Sequence, residues 1–168
     1  MPNIMSIETV ALDDANSQLV LIDQTQLPNR VEILHLSTQE EIREAIYLLK
    51  VRGAPAIGVA AAFGIYLAAK GIQTEDYAAF LREYQECSAY LEAARPTAVN
   101  LAWALHRMER VVLDHADTPV AEIKALLLKE CTAIKDEDTD MCRRIGEHGL
   151  SVLKDGAGVL THCNAGQL

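Results

Sequence analysis

The hydrophobic and polar positions along the chain change their period near residue 38. Before that point, residues 19–23 (LVLID) and 31–36 (VEILHL) are short runs of strand-forming residues, and the polar segment between them contains a Pro-Asn turn. This arrangement predicts a β-hairpin. A further short edge strand is expected within residues 4–12. Beyond residue 38 the apolar positions recur at helical spacing, so the sequence predicts helices after a small sheet.

Four segments have the amphipathic pattern of a helix that covers a core. Ser37 or Thr38 is expected to cap residues 39–49, and Thr74 to cap residues 75–93. Residues 98–113 and 120–153 complete the set, and the pattern leaves open whether the last segment is one long helix or two kinked ones. The acidic run at residues 136–138 is expected to lie on a solvated face of that segment.

Residues 51–70 (VRGAPAIGVAAAFGIYLAAK) differ from these helices because they are apolar on all sides. Such a helix belongs in a core or in a membrane. The run is shorter than the usual membrane span and has Arg52 at its start, so we interpret it as a buried core helix of a protein that does not enter a membrane. Proline is favoured in the first helical turn, which places the start of this helix near Pro55.

The turn before this helix, Arg52-Gly53-Ala54, is a candidate phosphate site. Unpaired N–H groups at a helix N-terminus attract anions, and Gly53 lets a ligand approach the backbone closely. Arg52 adds a planar, permanently charged group that suits phosphate. The alternative is a tightly packed helix with Arg52 in a structural ion pair.

A second arginine precedes a second helix. Arg95-Pro96 ends the helix before it, because a residue before proline avoids the helical region, and Thr97 is the expected cap of the next helix. Arg95 therefore repeats the arrangement of Arg52, and Asn100 is a candidate for the same pocket. The sequence does not show whether the two helix starts converge. Trp103 is expected in the core.

Charge and cysteine content narrow the class of protein. The net charge is −9 and no basic stripe is visible, which argues against a nucleic-acid surface. The four cysteines form neither a CxxC pair nor a zinc pattern, and the N-terminus lacks the pattern of a secretory signal. These features predict reduced thiols, no metal site and a cytoplasmic protein.

The end of the chain has the pattern of a strand instead of a helix. Residues 157–162 (AGVLTH) have the pattern of a buried strand, and a turn of small residues containing Cys163 follows. This predicts an N-terminal β-hairpin and helical domain over residues 1–153, and the first strand of a truncated Rossmann-like α/β domain over residues 154–168. The polypeptide is then expected to be the first part of a longer one. Cys163 is either a nucleophile or proton donor at a strand end, or an ordinary core cysteine.

Four stretches together resemble one family. They are IDQTQLP at 22–28, VRGAPAIGVAAAFG at 51–64, RPTAVNLAWAL at 95–105 and THCNAG at 161–166. In this order they resemble the N-terminal half of the methylthioribose-1-phosphate isomerases, whose superfamily includes regulatory subunits of the eukaryotic translation-initiation exchange factor. The resemblance covers nearly the whole chain, and DEDTDMCRRIGEHG at 136–149 is similar to the family's helix before its catalytic strand.

The resemblance implies an aldose–ketose isomerase of methionine salvage, which converts 5-methylthioribose 1-phosphate to 5-methylthioribulose 1-phosphate without a metal or organic cofactor. It implies that Arg52, Gly53, Ala54 and Arg95 bind substrate, that Cys163 is catalytic, and that the full-length protein is a homodimer. The family's catalytic aspartate belongs to its second domain, so the 168 residues alone are expected to be an inactive fragment. Two alternatives remain: an isomerase of ribose 1,5-bisphosphate, and a non-enzymatic regulatory subunit.

Overall fold

The computed structural model describes residues 8–162, which form a three-stranded antiparallel sheet and five helices. The α+β character expected of the N-terminal domain is thereby confirmed. The sheet has the order β1-β2-β3. The helices pack beside it, with the second helix at their centre. The elements are β1 (Val10–Asp13), β2 (Gln18–Ile22), β3 (Ile33–Leu36), α1 (Gln39–Tyr47), α2 (Ala54–Gly71), α3 (Tyr77–Glu92), α4 (Val99–Asp114) and α5 (Val120–Val152).

The predicted hairpin is formed by β2 and β3, with Leu19 opposite Leu36 and Ile22 opposite Ile33. Strand β1 adds an antiparallel edge and begins at Val10, within the range expected for an edge strand. Leu19, Leu21 and Ile22 are fully buried, so this small sheet is covered by the helices.

Helix α1 has the cap that its sequence predicts. The Thr38 hydroxyl accepts a hydrogen bond from the Glu41 backbone N–H, and the Glu41 carboxylate accepts bonds from the backbone N–H groups of Ser37 and Thr38. This reciprocal capping box satisfies donors that the helix leaves unpaired. The same bonds lower the pKa of Glu41, because they stabilise its ionised form.

Helix α2 is the core helix that its composition predicts. By length and composition it is the one helix of residues 8–162 that could cross a membrane, but 67% of it is buried within the domain. Its neighbours are α1, α3, α4, α5 and the sheet. At its C-terminal end the Lys124 ammonium of α5 donates to the backbone carbonyl of Ile72 at 2.6 Å. This bond satisfies an acceptor that a helix end leaves free.

Helix α3 presents the predicted stripe to the core, where Phe80, Tyr84, Ser88 and Leu91 are buried. The expectation that Thr74 caps it is wrong. Asp76 is the N-cap, and its carboxylate accepts from the Ala79 N–H at 2.8 Å. Thr74 instead accepts a hydrogen bond from the backbone N–H of Asp76, so it supports the capping residue.

Helix α5 is one continuous helix of 33 residues, which settles the question that its sequence leaves open. Its buried positions end at Ile134, and most of the second half is exposed. Beyond the helix, the predicted strand at residues 157–162 is not formed, and Leu160 is 99% exposed. A strand requires a neighbour with which to pair, and none of the three described strands is paired with this segment. The division into domains at residue 153 stays a prediction.

Candidate functional site

The start of α2 has the geometry of an anion site. Gly53 is its N-cap, with φ at 95°, a left-handed conformation that favours glycine. Pro55 occupies the first turn, and the Ile57 N–H bonds back to the Gly53 carbonyl at 3.0 Å. No side chain of residues 8–162 caps this end, so its first N–H groups retain the partial positive charge that attracts anions. Arg52 and Ala54 beside it are exposed.

The loop after β2 supports this turn from the other side. The backbone N–H of Gln24 donates to the Lys50 carbonyl at 2.9 Å, and the Arg52 Nε–H donates to the Gln24 Oε1 at 3.1 Å. The neighbouring Asp23 carboxylate accepts from the N–H and the hydroxyl of Thr25, which keeps it within its own loop. Arg52 forms no ion pair with any residue between 8 and 162. The structural ion pair considered as an alternative is therefore not seen in this part of the chain.

Arg95 lies in the turn that precedes α4. Its carbonyl accepts a hydrogen bond from the Ala98 N–H at 3.0 Å, and its side chain is half-buried. That turn makes Ala98 the N-cap, without a side-chain cap bond. The expectation that Thr97 caps this helix is wrong, because Thr97 lies inside the turn. The first N–H groups of α4 are consequently uncapped, as they are in α2.

The two helix starts lie side by side. A Cβ atom placed on Gly58, in the early part of α2, would lie 3.1 Å from the Asn100 carbonyl oxygen and 3.4 Å from the Asn100 Cβ. Asn100 is the second residue of α4. The close approach depends on the absence of a side chain at Gly58. The structure thus brings the N-terminal parts of α2 and α4 into contact at Gly58 and Asn100.

A groove of about 360 Å³ opens at this junction. Its walls come from α2, α4 and α5, and its lining residues are Pro55, Gly58, Val59, Val99, Asn100, Trp103, Ile134, Glu137, Asp138 and Met141. Asn100 is part of the lining, whereas the predicted substrate-binding residues Arg52, Gly53, Ala54 and Arg95 are not. Trp103 is 47% exposed, so its expected place in the core is wrong. The buried stripe of α4 passes through Leu101, Ala104 and Leu105 instead.

Two carboxyl groups of α5 border the groove, and their pKa values are shifted in opposite directions. Glu137 accepts two hydrogen bonds from the Arg107 guanidinium, at 2.5 and 2.8 Å, which lower the pKa of this carboxyl group. Asp138 is half-buried, and burial raises its pKa. The expectation of a solvated acidic run holds for Asp136 and Glu137, which are exposed, but not for Asp138. Ile134 and Asp138 are four residues apart, so both lie on one face of the helix. The neighbouring acidic residues make this spacing difficult to recognise in the sequence.

Cys163, the predicted catalytic residue, lies outside the described residues, and its role stays a prediction. Among the described residues, no three histidine, cysteine or acidic side chains are grouped in a way that could hold a metal ion. The described cysteines are free thiols: Cys131 is buried, Cys87 is half-buried and Cys142 is exposed. Burial raises the pKa of the Cys131 thiol to about 12, so this group is unsuited to nucleophilic chemistry.

Comparison with known proteins identifies the family of this chain. The model of the Initiation factor 2 subunit family matches residues 50–168, more than two thirds of the chain. The chain belongs to this family. The match begins two residues before Arg52 and includes both helix starts, so the groove described above lies in the part of the chain that family members share.

Curated relatives of this chain are named as isomerases. A "methylthioribose-1-phosphate isomerase" of Symbiobacterium thermophilum is 57% identical over 162 residues, which are 96% of this chain and 45% of the relative. A "5-deoxyribose 1-phosphate isomerase" of Clostridium botulinum is 49% identical over 156 residues, 93% of this chain and 45% of the relative. The chain thus spans less than half the length of the curated relatives it matches.

Two solved structures that are similar to this chain have the same fold. The 5-methylthioribose 1-phosphate isomerase of Pyrococcus horikoshii is 40% identical with a TM-score of 0.91, over 97% of this chain and 45% of that one. The delta subunit of translation initiation factor eIF-2B from A. fulgidus is 39% identical with a TM-score of 0.84, over 96% and 46%. One fold therefore occurs under both names, and the residues of the site must decide between the functions.

Proposed function

We propose that this chain forms the N-terminal part of a sugar-phosphate isomerase that converts 5-methylthioribose 1-phosphate to 5-methylthioribulose 1-phosphate in methionine salvage. The observation that carries this proposal is the pair of uncapped helix N-termini, each beside an arginine, which meet at Gly58 and Asn100. Relatives of this chain with 49% to 57% identity are named as isomerases of sugar 1-phosphates.

The charges of the site suit a phosphate monoester. The Arg52 guanidinium is exposed and has no acidic partner among residues 8–162, and the first N–H groups of α2 lie beside it. In the proposed complex Arg52, Gly53 and Ala54 bind the phosphate. Arg95 supplies a second cation from the turn before α4, and its side chain forms no hydrogen bond or ion pair with the described residues.

The groove suits an apolar substituent at C5 of the sugar. Val99, Trp103 and Met141 line it with large exposed apolar surfaces. A methylthio group or a methyl group would be bound here, which agrees with the two substrates in the relatives' names. A second phosphate, as in ribose 1,5-bisphosphate, would meet the carboxylate of Asp138, which forms no ion pair with residues 8–162, and like charges at close range repel.

The reaction is an isomerisation in which atoms and electrons balance within the substrate. The ring bond between C1 and O4 breaks and O4 gains a proton, while a hydrogen passes from C2 to C1 and the C2 hydroxyl becomes a carbonyl. Such transfers need a donor and an acceptor within hydrogen-bond reach of the substrate. We assign Cys163 to this proton handling on its resemblance to the family's active-site cysteine. We further propose a cytoplasmic homodimer for the full-length protein.

The test is a coupled assay of 5-methylthioribulose 1-phosphate formation, using the protein with any residues that its gene encodes beyond Leu168. The parent is expected to turn over, and Cys163→Ser to lose activity. Arg52→Ala should raise KM roughly 10- to 100-fold, because it removes a charge-assisted contact to phosphate. Arg110→Ala is the matched control, since Arg110 is an exposed arginine nearer the other end of α4.

A folded parent protein without turnover on either named substrate would refute the isomerase. Equal effects of Arg52→Ala and Arg110→Ala on KM would show that turnover does not depend on the start of α2. Preference for ribose 1,5-bisphosphate over 5-methylthioribose 1-phosphate would contradict the role of the apolar groove. Turnover of 5-deoxyribose 1-phosphate beside the methylthio substrate is expected, because both carry an apolar group at C5.

A further inference from the structure

Gln24 is a polar side chain held inside the protein beside the proposed phosphate site. It is the second residue after β2 and is only 1% exposed. Its backbone N–H donates to the Lys50 carbonyl at 2.9 Å, and its Oε1 accepts from the Arg52 Nε–H at 3.1 Å. Gln24 therefore contacts both the backbone that leads into the turn before α2 and the arginine of that turn.

The contact uses only one edge of the arginine. A guanidinium has five N–H donors in a fixed plane. The Nε–H of Arg52 is bonded to Gln24, whereas Nη1 and Nη2 have no partner among residues 8–162. These two nitrogens form one of the edges with which a guanidinium binds phosphate oxygens in a bidentate manner. An anchor at Nε fixes the plane of the group and leaves its binding edge free.

The anchor is neutral, which matters for a cation that binds an anion. A glutamate in place of Gln24 would accept the same hydrogen bond but would compensate the charge of Arg52. The nearest acidic residue in sequence, Asp23, is buried and bonded to Thr25 instead. Gln24 thus orients Arg52 without reducing its attraction for a phosphate.

The other end of the same amide has no structural role within the described residues. The Gln24 Nε2 is buried and without a hydrogen-bond partner there. A buried donor without a partner is destabilising, and an apolar side chain of similar shape would avoid that cost. Packing alone therefore favours methionine or leucine at this position, and the bond to Arg52 is the interaction that distinguishes glutamine.

We infer that Gln24 is a positioning residue, which holds the Arg52 guanidinium in the orientation that binds the substrate's phosphate. This inference rests on the proposed function, in which Arg52 binds a sugar 1-phosphate. It adds a residue from the hairpin loop, 28 positions before Arg52 in the sequence, to a site otherwise built from helix starts.

Kinetics with 5-methylthioribose 1-phosphate provide the first test. Gln24→Met keeps the length of the side chain and removes the acceptor, so KM should rise roughly tenfold while kcat changes little. Gln24→Glu keeps an acceptor and adds a negative charge, so KM should also rise. Gln26→Met is the matched control in the same loop, because among residues 8–162 the Gln26 side chain bonds only to Thr25. It should leave KM within twofold.

The second test does not depend on turnover. In ¹⁵N-labelled protein, the Nε–H signal of Arg52, assigned by its loss in Arg52→Lys, should exchange with water more slowly than that of the exposed Arg110. Gln24→Met should raise the Arg52 exchange rate to that of Arg110, whereas Gln24→Glu and Gln26→Met should keep it slow. Circular dichroism would establish that each variant is folded. A merely structural role for Gln24 would not predict this separation of the two Gln24 variants.

The outcomes separate this inference from the function on which it rests. If Arg52→Lys raises KM but both Gln24 variants leave it unchanged, Gln24 does not position Arg52 and the inference is refuted. If Arg52→Ala leaves KM unchanged, the phosphate role of Arg52 fails and the inference fails with it. An Arg52 exchange rate that is equal in the parent and in Gln24→Met refutes the anchor whether or not the protein is an isomerase.

Discussion

Replacing Gly64 with alanine tests how tightly the core around α2 is packed. Gly64 is buried in the middle of this helix, and an added Cβ would lie 2.9 Å from the Ile42 Cγ2 and 3.5 Å from the Leu91 Cδ1. The shorter distance requires a displacement. Because Ile42 is fully buried and β-branched, its Cγ2 cannot move without rotating χ1 or shifting α1.

The size of the effect follows from two opposed terms. Alanine in place of glycine within a helix stabilises by about 0.5–1 kcal/mol, whereas an overpacked core typically costs about 1–3 kcal/mol. The second term exceeds the first at Gly64, so Gly64→Ala should lower the free energy of unfolding by about 1 kcal/mol. For a domain of this size the corresponding loss in Tm is about 2–4 °C.

Gly71 provides the matched control, since it is the last residue of the same helix and is exposed. An added Cβ there would meet nothing within 4 Å, so Gly71→Ala keeps only the helix-propensity term and should stabilise by about 0.5 kcal/mol. Urea unfolding followed by circular dichroism measures both variants, with unchanged m values as the sign of a common unfolded state. If Gly64→Ala is as stable as Gly71→Ala, the argument from close packing is refuted.

Two further predictions concern ionisable groups away from the phosphate site. In a protein with Cys87→Ser and Cys163→Ser, a thiol reagent should label Cys142 rapidly and Cys131 only on unfolding, because Cys131 is buried and its pKa is raised to about 12; equal rates would contradict this. Asp138→Asn should raise Tm at pH 7, since burial penalises the ionised carboxylate. That gain should disappear below about pH 4, where the aspartate is protonated in both the folded and unfolded states, and a gain that grows on acidification would exclude this cause.

The local elements of the fold were predictable because their signals are local. Alternation and a turn predict the hairpin of β2 and β3, and the stripe through Phe80 and Tyr84 predicts the buried face of α3. The Thr38 cap and the core position of α2 likewise follow from short patterns. In each case the residues that decide the structure are neighbours in the sequence, so no knowledge of the tertiary contacts is needed.

The predictions that failed depend on contacts that a local pattern does not contain. Residues 157–162 have the composition of a buried strand, but pairing requires a partner strand, and none of the described strands provides one. Trp103 is apolar, yet its position on α4 is off the stripe that faces α2. Asp138 belongs to an acidic run, but its place on α5 puts it beside Ile134 at the groove.

The candidate site, like the fold, was predictable from the sequence only in part. The arginines before α2 and α4 were recognisable because Pro55 and Pro96 mark helix boundaries. The contact between the two helices was not, since it arises from the packing of Gly58 on Asn100, two residues 42 positions apart. Within a helix of many small residues, nothing in the sequence distinguishes Gly58 as the position of closest approach.

Gln24 shows why the site carries more information about function than the fold does. The fold is common to structures named as an isomerase and as a translation initiation factor subunit, and an interaction module could use the same helices and sheet. Such a module has no need for an exposed arginine anchored by a buried neutral amide, an arrangement that leaves one donor of the amide without a partner among residues 8–162. A phosphate ligand would give this arrangement a purpose, because it would bind the free edge of the guanidinium that the amide is proposed to orient. The Gln24–Arg52 pair therefore favours small-molecule chemistry over a purely regulatory role.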